Sequence, residues 1–246
     1  MAEDNEQQQS PFTHPGFIIA AIVVAIIVVL GIVVGINATR DQASPSPTTE
    51  PTDVAAPTDE PSPVARGASV CGLEGQKLSG TVSTAPEAQW EFQGTTAYPT
   101  SPTYGPGETD ENGVRYCFQH SPEGALFAAA NAVVQGSDAT TSPAWIEYFL
   151  STETPNRSAL LDQVPAGTPS SIRMTVAGFR LLAYDGTSAR VDVAVQATGS
   201  GNTVLASAVY DLVWEAGDWK LLPQDLSNPL RLAEIPDTAG YIGWGE

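Results

Sequence analysis

Hydrophobic positions follow three regimes along this chain, and each regime marks a different kind of segment. The first has no period: Phe17–Ile36 (FIIAAIVVAIIVVLGIVVGI) is twenty apolar residues with no charge among them. At about 1.5 Å of rise per residue, a helix of that length covers about 30 Å, the thickness of a bilayer's hydrocarbon core, so the run predicts a transmembrane helix. A secretory signal peptide would want a basic leader, and residues 1–16 offer Glu3, Asp4 and Glu6 with no Lys or Arg. A lipoprotein signal would need a cysteine directly after the run, but the first cysteine is Cys71. The expectation is a retained anchor at 17–36 behind a short cytoplasmic tail, 1–16.

Residues 37–70 show no hydrophobic period. Pro45, Pro47, Pro51, Pro57, Pro61 and Pro63 are interleaved with Thr, Ser, Ala and scattered acids. Such a segment buries too little apolar surface to offset its chain entropy, which predicts a disordered linker holding residues 71–246 away from the anchor.

In 71–246 a helical period comes first. Ser121 is an N-cap candidate with Pro122 at the first position and Glu123 at the positive end of the helix dipole. Leu126, Phe127, Ala130, Val133 and Val134 then recur as one face of an amphipathic helix that Gly136 would terminate. Ser142-Pro143 starts a second stripe (Trp145, Ile146, Phe149, Leu150), and Thr154-Pro155 a shorter third one using Leu160, Leu161 and Val164. Upstream, Trp90 to Phe92 reads as extended, Pro99 to Gly107 as a turn-rich loop, and Val114 to Gln119 as a strand after the Asn112-Gly113 turn.

From Ile172 the period drops to two. Ile172–Tyr184, Ala189–Thr198, Val204–Trp214 and Trp219–Leu222 alternate, joined by Asp185-Gly186, Gly199-Ser200-Gly201-Asn202 and Ala216-Gly217-Asp218. These elements predict an α+β class in which two or three helices cover a curved four-stranded antiparallel sheet. The tail Ile235–Glu246, with Tyr241, Ile242 and Trp244 among glycines, leaves two readings open, packing on the sheet or docking a partner.

Charge narrows the functional classes. The chain has 28 acids against 10 bases, a net charge of −18, and no basic cluster, which argues against nucleic acid as a partner. Arg173, Arg180 and Arg190 fall on predicted strands as solvent-side residues. No basic residue precedes the apolar run and only Arg40 closely follows it, so the positive-inside rule is silent. The short N-terminal tail, the Pro/Ser/Thr-rich segment and the presence of only two cysteines place the C-terminal part outside the cytoplasm of a single-pass protein of the cell membrane. Cys71 and Cys117 have neither CxxC spacing nor a histidine cluster. They read as one disulfide in an exported domain or, alternatively, as two buried thiols.

Candidate chemistry is thin. Glu108, Asp110 and Glu111 lack the ligand spacing of a calcium loop and read as a solvated turn, so no metal or cofactor is expected. Asp192, Asp211, Tyr184 and Tyr210 sit on predicted strands and would be the carboxylates and hydrogen-bond donors of an isomerase-like site. With Val191, Val193 and Val195 facing the core, Asp192 points away, and Tyr210 and Asp211 face opposite sides. His120 beside Ser121 suggests a base and nucleophile but lacks an orienting third group. No catalytic residue is assigned. Gly31 and Gly35 form a small-xxx-small pair through which two anchors could associate into a homo-oligomer.

The last predicted hairpin, Val213-Trp214-Glu215-Ala216-Gly217-Asp218-Trp219-Lys220-Leu221, after helices and a meander, resembles the nuclear transport factor 2-like superfamily, whose cone-shaped fold is then the implied one. The stretch Arg115-Tyr116-Cys117-Phe118-Gln119-His120-Ser121-Pro122-Glu123-Gly124-Ala125-Leu126, with the upstream Tyr104-Gly105-Pro106 and the Pro-rich linker, resembles a family of actinobacterial single-pass proteins linked to conjugative and mobile elements. That resemblance implies a membrane-anchored extracytoplasmic binding or assembly module. It is similar to the bitopic scaffold subunit of conjugation and type IV secretion machines, with envelope or secretion proteins as partners and no catalysis. The same fold also hosts isomerases, so a small-ligand binder or isomerase-like enzyme using the cone cavity is the alternative.

Overall fold

The computed structural model describes residues 68–162, 172–199, 201–226 and 228–245. In chain order, β1 (Gln89–Gln93) and β2 (Thr96–Thr100) form a hairpin, and β3 (Glu108–Thr109) pairs with β4 (Arg115–Tyr116). Three helices follow: α1 (Pro122–Ser137), α2 (Ser142–Phe149) and α3 (Arg157–Leu161). The remaining strands are β5 (Arg173–Tyr184), β6 (Ser188–Gly199), β7 (Asn202–Glu215), β8 (Asp218–Leu221), β9 (Arg231–Glu234) and β10 (Ile242–Gly243).

The expected fold class, helices over a four-stranded sheet in a cone, is corrected by this arrangement, which is mostly sheet with few helices. The large sheet has six antiparallel strands, in the order β10-β5-β6-β7-β8, with β9 also pairing β7 at Ala206–Val209. The two unexpected strands come from the C-terminal segment. They are four and two residues long, too short for a period of two to show in the sequence, and pairing with the edges of β7 and β5 makes them strands. Among the described residues no helix is long and apolar enough to cross a membrane. The run Phe17–Ile36, the pair Gly31 and Gly35, the tail 1–16, nearly all of 37–70, and Val164 lie outside the described residues.

Turn chemistry sets the register of the three long strands. Asp185 Oδ1 accepts the N–H groups of Thr187 (2.8 Å) and Ser188 (2.7 Å), and Gly186 takes φ 85°. Ala216 (φ 52°) and Gly217 (φ 82°) are both left-handed, the geometry that a two-residue hairpin matched to strand twist requires. With that register Val191, Val193, Val195 and Ala197 of β6 all reach the helix-covered core.

Ser121 caps α1 by accepting the N–H of Gly124 at 3.0 Å, with Pro122 in the first turn. The helix is not one-faced, however. Ala125, Leu126, Phe127, Ala128, Ala129 and Ala130 are all buried, because α1 lies between the β1–β2 hairpin and the large sheet, touching β2 on one side and β5 and β6 on the other. Gly136 does not end it. It sits inside the last turn, where an added Cβ would come within 2.9 Å of the Trp145 ring. The expected strand Val114–Gln119 shrinks to Arg115–Tyr116, because Cys117 has φ 68° and breaks the extended run.

The C-terminal tail packs on the sheet. Trp244 is buried with its ring edge-on to Trp90 (5.4 Å), Phe127 (5.1 Å) and Phe179 (5.6 Å), and its Nε1 donates to the Pro86 carbonyl at 3.1 Å. This joins the small hairpin, α1 and the large sheet into one core.

Among the described glycines the backbone packs most closely at Gly124, where an added Cβ would lie 1.9 Å from the Gln119 carbonyl oxygen. Gly124→Ala would gain about 1 kcal/mol of helix propensity. Moving backbone to make room costs about 1–3 kcal/mol or more, so the substitution is expected to lower the urea midpoint. A raised midpoint would contradict the packing described.

Candidate functional site

Two polar residues interrupt the apolar surface of α1 at helical spacing, Asn131 and Gln135, and both are fully buried. A buried amide must spend its donors and acceptors inside the protein, and these two spend them largely on one residue. Gln135 Oε1 accepts the backbone N–H of Arg115 at 2.6 Å, and its Nε2 donates to the Arg115 carbonyl at 3.3 Å. Asn131 Oδ1 accepts from Arg115 Nε at 2.8 Å, while its Nδ2 donates to the carbonyls of Pro99 (2.9 Å) and Phe127 (3.0 Å). The helix therefore grips the Arg115 backbone and one edge of its guanidinium.

The rest of the guanidinium meets the β1–β2 hairpin. Nη1 donates to Gln93 Oε1 at 2.6 Å, and the Tyr98 ring covers the flat face at 3.7 Å. Gln93 is held in turn by donating to Thr141 Oγ1 (3.1 Å) and to Asp138. Nη2 is buried and has no hydrogen-bond partner. Arg115 is only 6% exposed, its hydrogen-bond partners are neutral amides, and burial pulls its pKa down to about 10. No carboxylate pairs with it among the described residues.

Arg115 lines an open cleft of about 530 Å³. Tyr98, Thr100 and Ser101 contribute one side, Pro106, Gly107 and Thr109 another, and the carboxylates of Glu91 and Glu108 also line it. Tyr98 donates to Glu91 Oε2 at 2.8 Å. The volume falls in the range of small-molecule sites, about 300–1,000 Å³.

What fixes Arg115 in the chain is the segment just after it. Cys117 is bonded to Cys71, with Cα atoms 5.8 Å apart and the two cysteines 46 positions apart in sequence. Closing a loop of that length stabilises the fold by about 4 kcal/mol in the chain-entropy account. The Asp218 carboxylate accepts the N–H groups of Cys117 (2.8 Å), Phe118 (2.9 Å) and Trp219 (2.9 Å) and the hydroxyl of Tyr148 (2.7 Å). Burial pushes its pKa up, opposed by those donors and by Lys220. Lys220 lies over the Tyr148 ring at 3.0 Å and donates to the Tyr148 carbonyl at 2.9 Å, and burial lowers its pKa to about 8.

The residues that sequence reasoning weighed for catalysis do not converge. His120 is a core histidine: it stacks on Trp214 at 4.0 Å, Nδ1 faces Gln76 Nε2 at 3.1 Å, and Nε2 donates to the Gly186 carbonyl. Ser121 is the helix cap. Asp192 is buried on the sheet face away from the helices, paired with Arg180 and accepting from Ser207 (2.7 Å) and Tyr241 (2.9 Å). Asp211 bridges Arg190 (2.6 Å) and Arg231 (2.7 Å). Tyr210 faces the core, and Tyr184 bonds the Lys77 carbonyl at 2.5 Å. Arg173 donates to the Thr95 carbonyl at 2.9 Å. Asp110 Oδ1 accepts the N–H groups of Asn112 (2.9 Å) and Val114 (2.8 Å), closing the turn with its own backbone, and among the described residues no three His, Cys, Asp or Glu side chains are grouped to hold a metal ion.

Arg115, Tyr98, Glu91 and Gln93 had no site role in the sequence reading. The available signal was Asn131 and Gln135, two amides four residues apart inside an otherwise apolar helix, a pattern that asks for a buried polar partner.

The fold and the cleft define a disulfide-bonded, sheet-rich domain with a basic side chain set into an acidic-rimmed opening. The chain belongs to the family described as a domain of unknown function (DUF8175), whose model matches residues 46–243. No curated protein and no solved structure matches it. Nothing in the family match supports the expected conjugation, scaffold or actinobacterial reading, and the resemblance to the nuclear transport factor 2-like superfamily gains no support from a solved structure.

Lys220 generates a pH prediction. Its folded pKa of about 8 lies below the ordinary 10.5, so the folded state binds this proton more weakly than the unfolded chain does. Its contribution to stability is therefore unfavourable below pH 8 and rises with pH between those two values. The unfolding free energy of the wild type is expected to gain a rising component between about pH 8 and pH 10.5, and Lys220→Met, which keeps an apolar stem, is expected to lose it. An unchanged slope in the variant would show that Lys220 keeps its ordinary proton affinity.

Proposed function

We propose that this chain is an extracytoplasmic binding module held at a cell membrane, with the Arg115 cleft as its binding site. The observation that carries the reading is the buried guanidinium that lines an open cleft with one donor unspent. A folded protein leaves such a donor unpaired only at a cost of about 1–3 kcal/mol, which an arriving acceptor relieves. The interior between α1 and the sheet is filled by Phe127, Phe179, Val191, Val193 and Trp244, so the ligand site lies on the hairpin side rather than inside a cone.

Binding is favoured over catalysis because three polar residues with catalytic potential outside the cleft are tied to structural partners: Asp192 to Arg180, Asp211 to Arg190 and Arg231, and His120 to Gln76 and Gly186. The disulfide suits an oxidising compartment. The tether in this reading is the apolar run Phe17–Ile36, which rests on the sequence alone.

The test is topological. Protease added to intact, wall-stripped cells should remove an epitope placed at the C-terminus, and a maleimide should label Cys71 and Cys117 only after reduction. A protected epitope on intact cells, or labelling without reductant, would contradict the reading.

A further inference from the structure

We infer that the Arg115 cleft recognises a small zwitterion, an amino acid or short peptide, taking its carboxylate on Arg115 and its ammonium against Glu91 and Glu108. The inference rests on the reading of the cleft as a binding site and adds the class of ligand.

Two features of the site select the charge pattern. The first is the state of Arg115. Asn131 and Gln93 satisfy Nε and Nη1, and both are neutral; among the described residues no carboxylate touches the guanidinium, Glu91 and Asp138 supporting its charge only from a distance, while Nη2 has no acceptor. A carboxylate supplies both missing things at once, an acceptor and a contacting counter-charge. The second is the rim. Glu91 and Glu108 line the same opening, and Glu108 makes no ion pair among the described residues. In a chain of net charge −18 these carboxylates repel polyanions such as polyphosphates, and they offer a cationic group a place to bind. A monocarboxylate bearing an ammonium satisfies the floor and the rim together.

Access goes through Tyr98. Nη2 is out of reach of solvent, and the ring that covers the guanidinium is half-buried, with its hydroxyl bonded to the exposed Glu91. An incoming ammonium at Glu91 competes for the same carboxylate that holds the Tyr98 hydroxyl. Ligand entry therefore loosens the cover over Arg115, coupling recognition at the rim to recognition at the floor. Pro102, Pro106 and Leu73 add apolar surface to the walls, enough for a short side chain but for no extended apolar ligand.

The experiment is a calorimetric titration of the full-length protein with the dipeptide Ala-Ala, its N-acetyl form, its C-terminal amide and free alanine. Ala-Ala is expected to bind saturably, and each capped form at least about tenfold more weakly. Comparing free alanine with the dipeptide separates an amino acid from a peptide as the preferred source of the same two charges. Glu108→Gln, an exposed position, should weaken Ala-Ala and leave the N-acetyl form unchanged, and Arg115→Lys should weaken every form that retains its carboxylate. Equal affinity for capped and uncapped forms, or no effect of Glu108→Gln, overturns the zwitterion inference while leaving a binding cleft. Absence of binding by all four probes at millimolar concentration overturns both the inference and the reading of the cleft as a site.

Discussion

The carboxylate of Asp218 is the constraint on which the arrangement depends. It stands at the start of β8 and collects donors from three parts of the chain: the backbone of Cys117 and Phe118, the hydroxyl of Tyr148 on α2, and its own strand at Trp219. Cys117 is left-handed, a conformation disfavoured for any residue with a side chain, and it persists because the disulfide on one side and Asp218 on the other over-determine it. One carboxylate thereby joins the segment that follows β4, the helical layer and the large sheet.

Arg115 lies two residues before that knot, and its position follows from it. With Cys117 held, β4 can extend only far enough to place the Arg115 backbone against Gln135 and its side chain against Asn131. Burying a guanidinium costs several kcal/mol unless it is paired, and pairing here is incomplete. The compensation consists of two neutral amides and a tyrosine face, which hold the group in place without neutralising it. A charge that is fixed and held without a contacting counter-ion is what a binding site for the opposite charge needs, since little reorganisation remains when the ligand arrives.

How much of this was legible in the sequence depended on whether the signal was local. The hairpins at Asp185-Gly186 and Ala216-Gly217 and the Ser121 cap depend on residues within a few positions of one another, and they occur at those positions. The strands β9 and β10 depend on edges of a sheet dozens of residues earlier in the chain, so a four-strand sheet was expected where six strands form. The one-faced pattern expected for α1 failed because a second layer, the β1–β2 hairpin, covers the face that would otherwise meet water. Asp218 reads in the sequence only as the last residue of the Ala216-Gly217-Asp218 turn, yet the fold points it inward to accept from a backbone a hundred residues away. The cleft was not legible, because an unspent donor is defined by what fails to reach it in three dimensions.

Amide hydrogen exchange compared between wild type and Asp218→Asn tests the central claim most directly. The Cys117 and Phe118 amides lie outside the regular strands, yet in the wild type they should exchange as slowly as the amides in the middle of β6. In the variant they should exchange far faster while those of β6 stay protected, since an asparagine amide cannot accept all four donors. Fast exchange of the two amides in the wild type, or protection that survives the substitution, would show that Asp218 does not hold the segment and that Arg115 is positioned by something else.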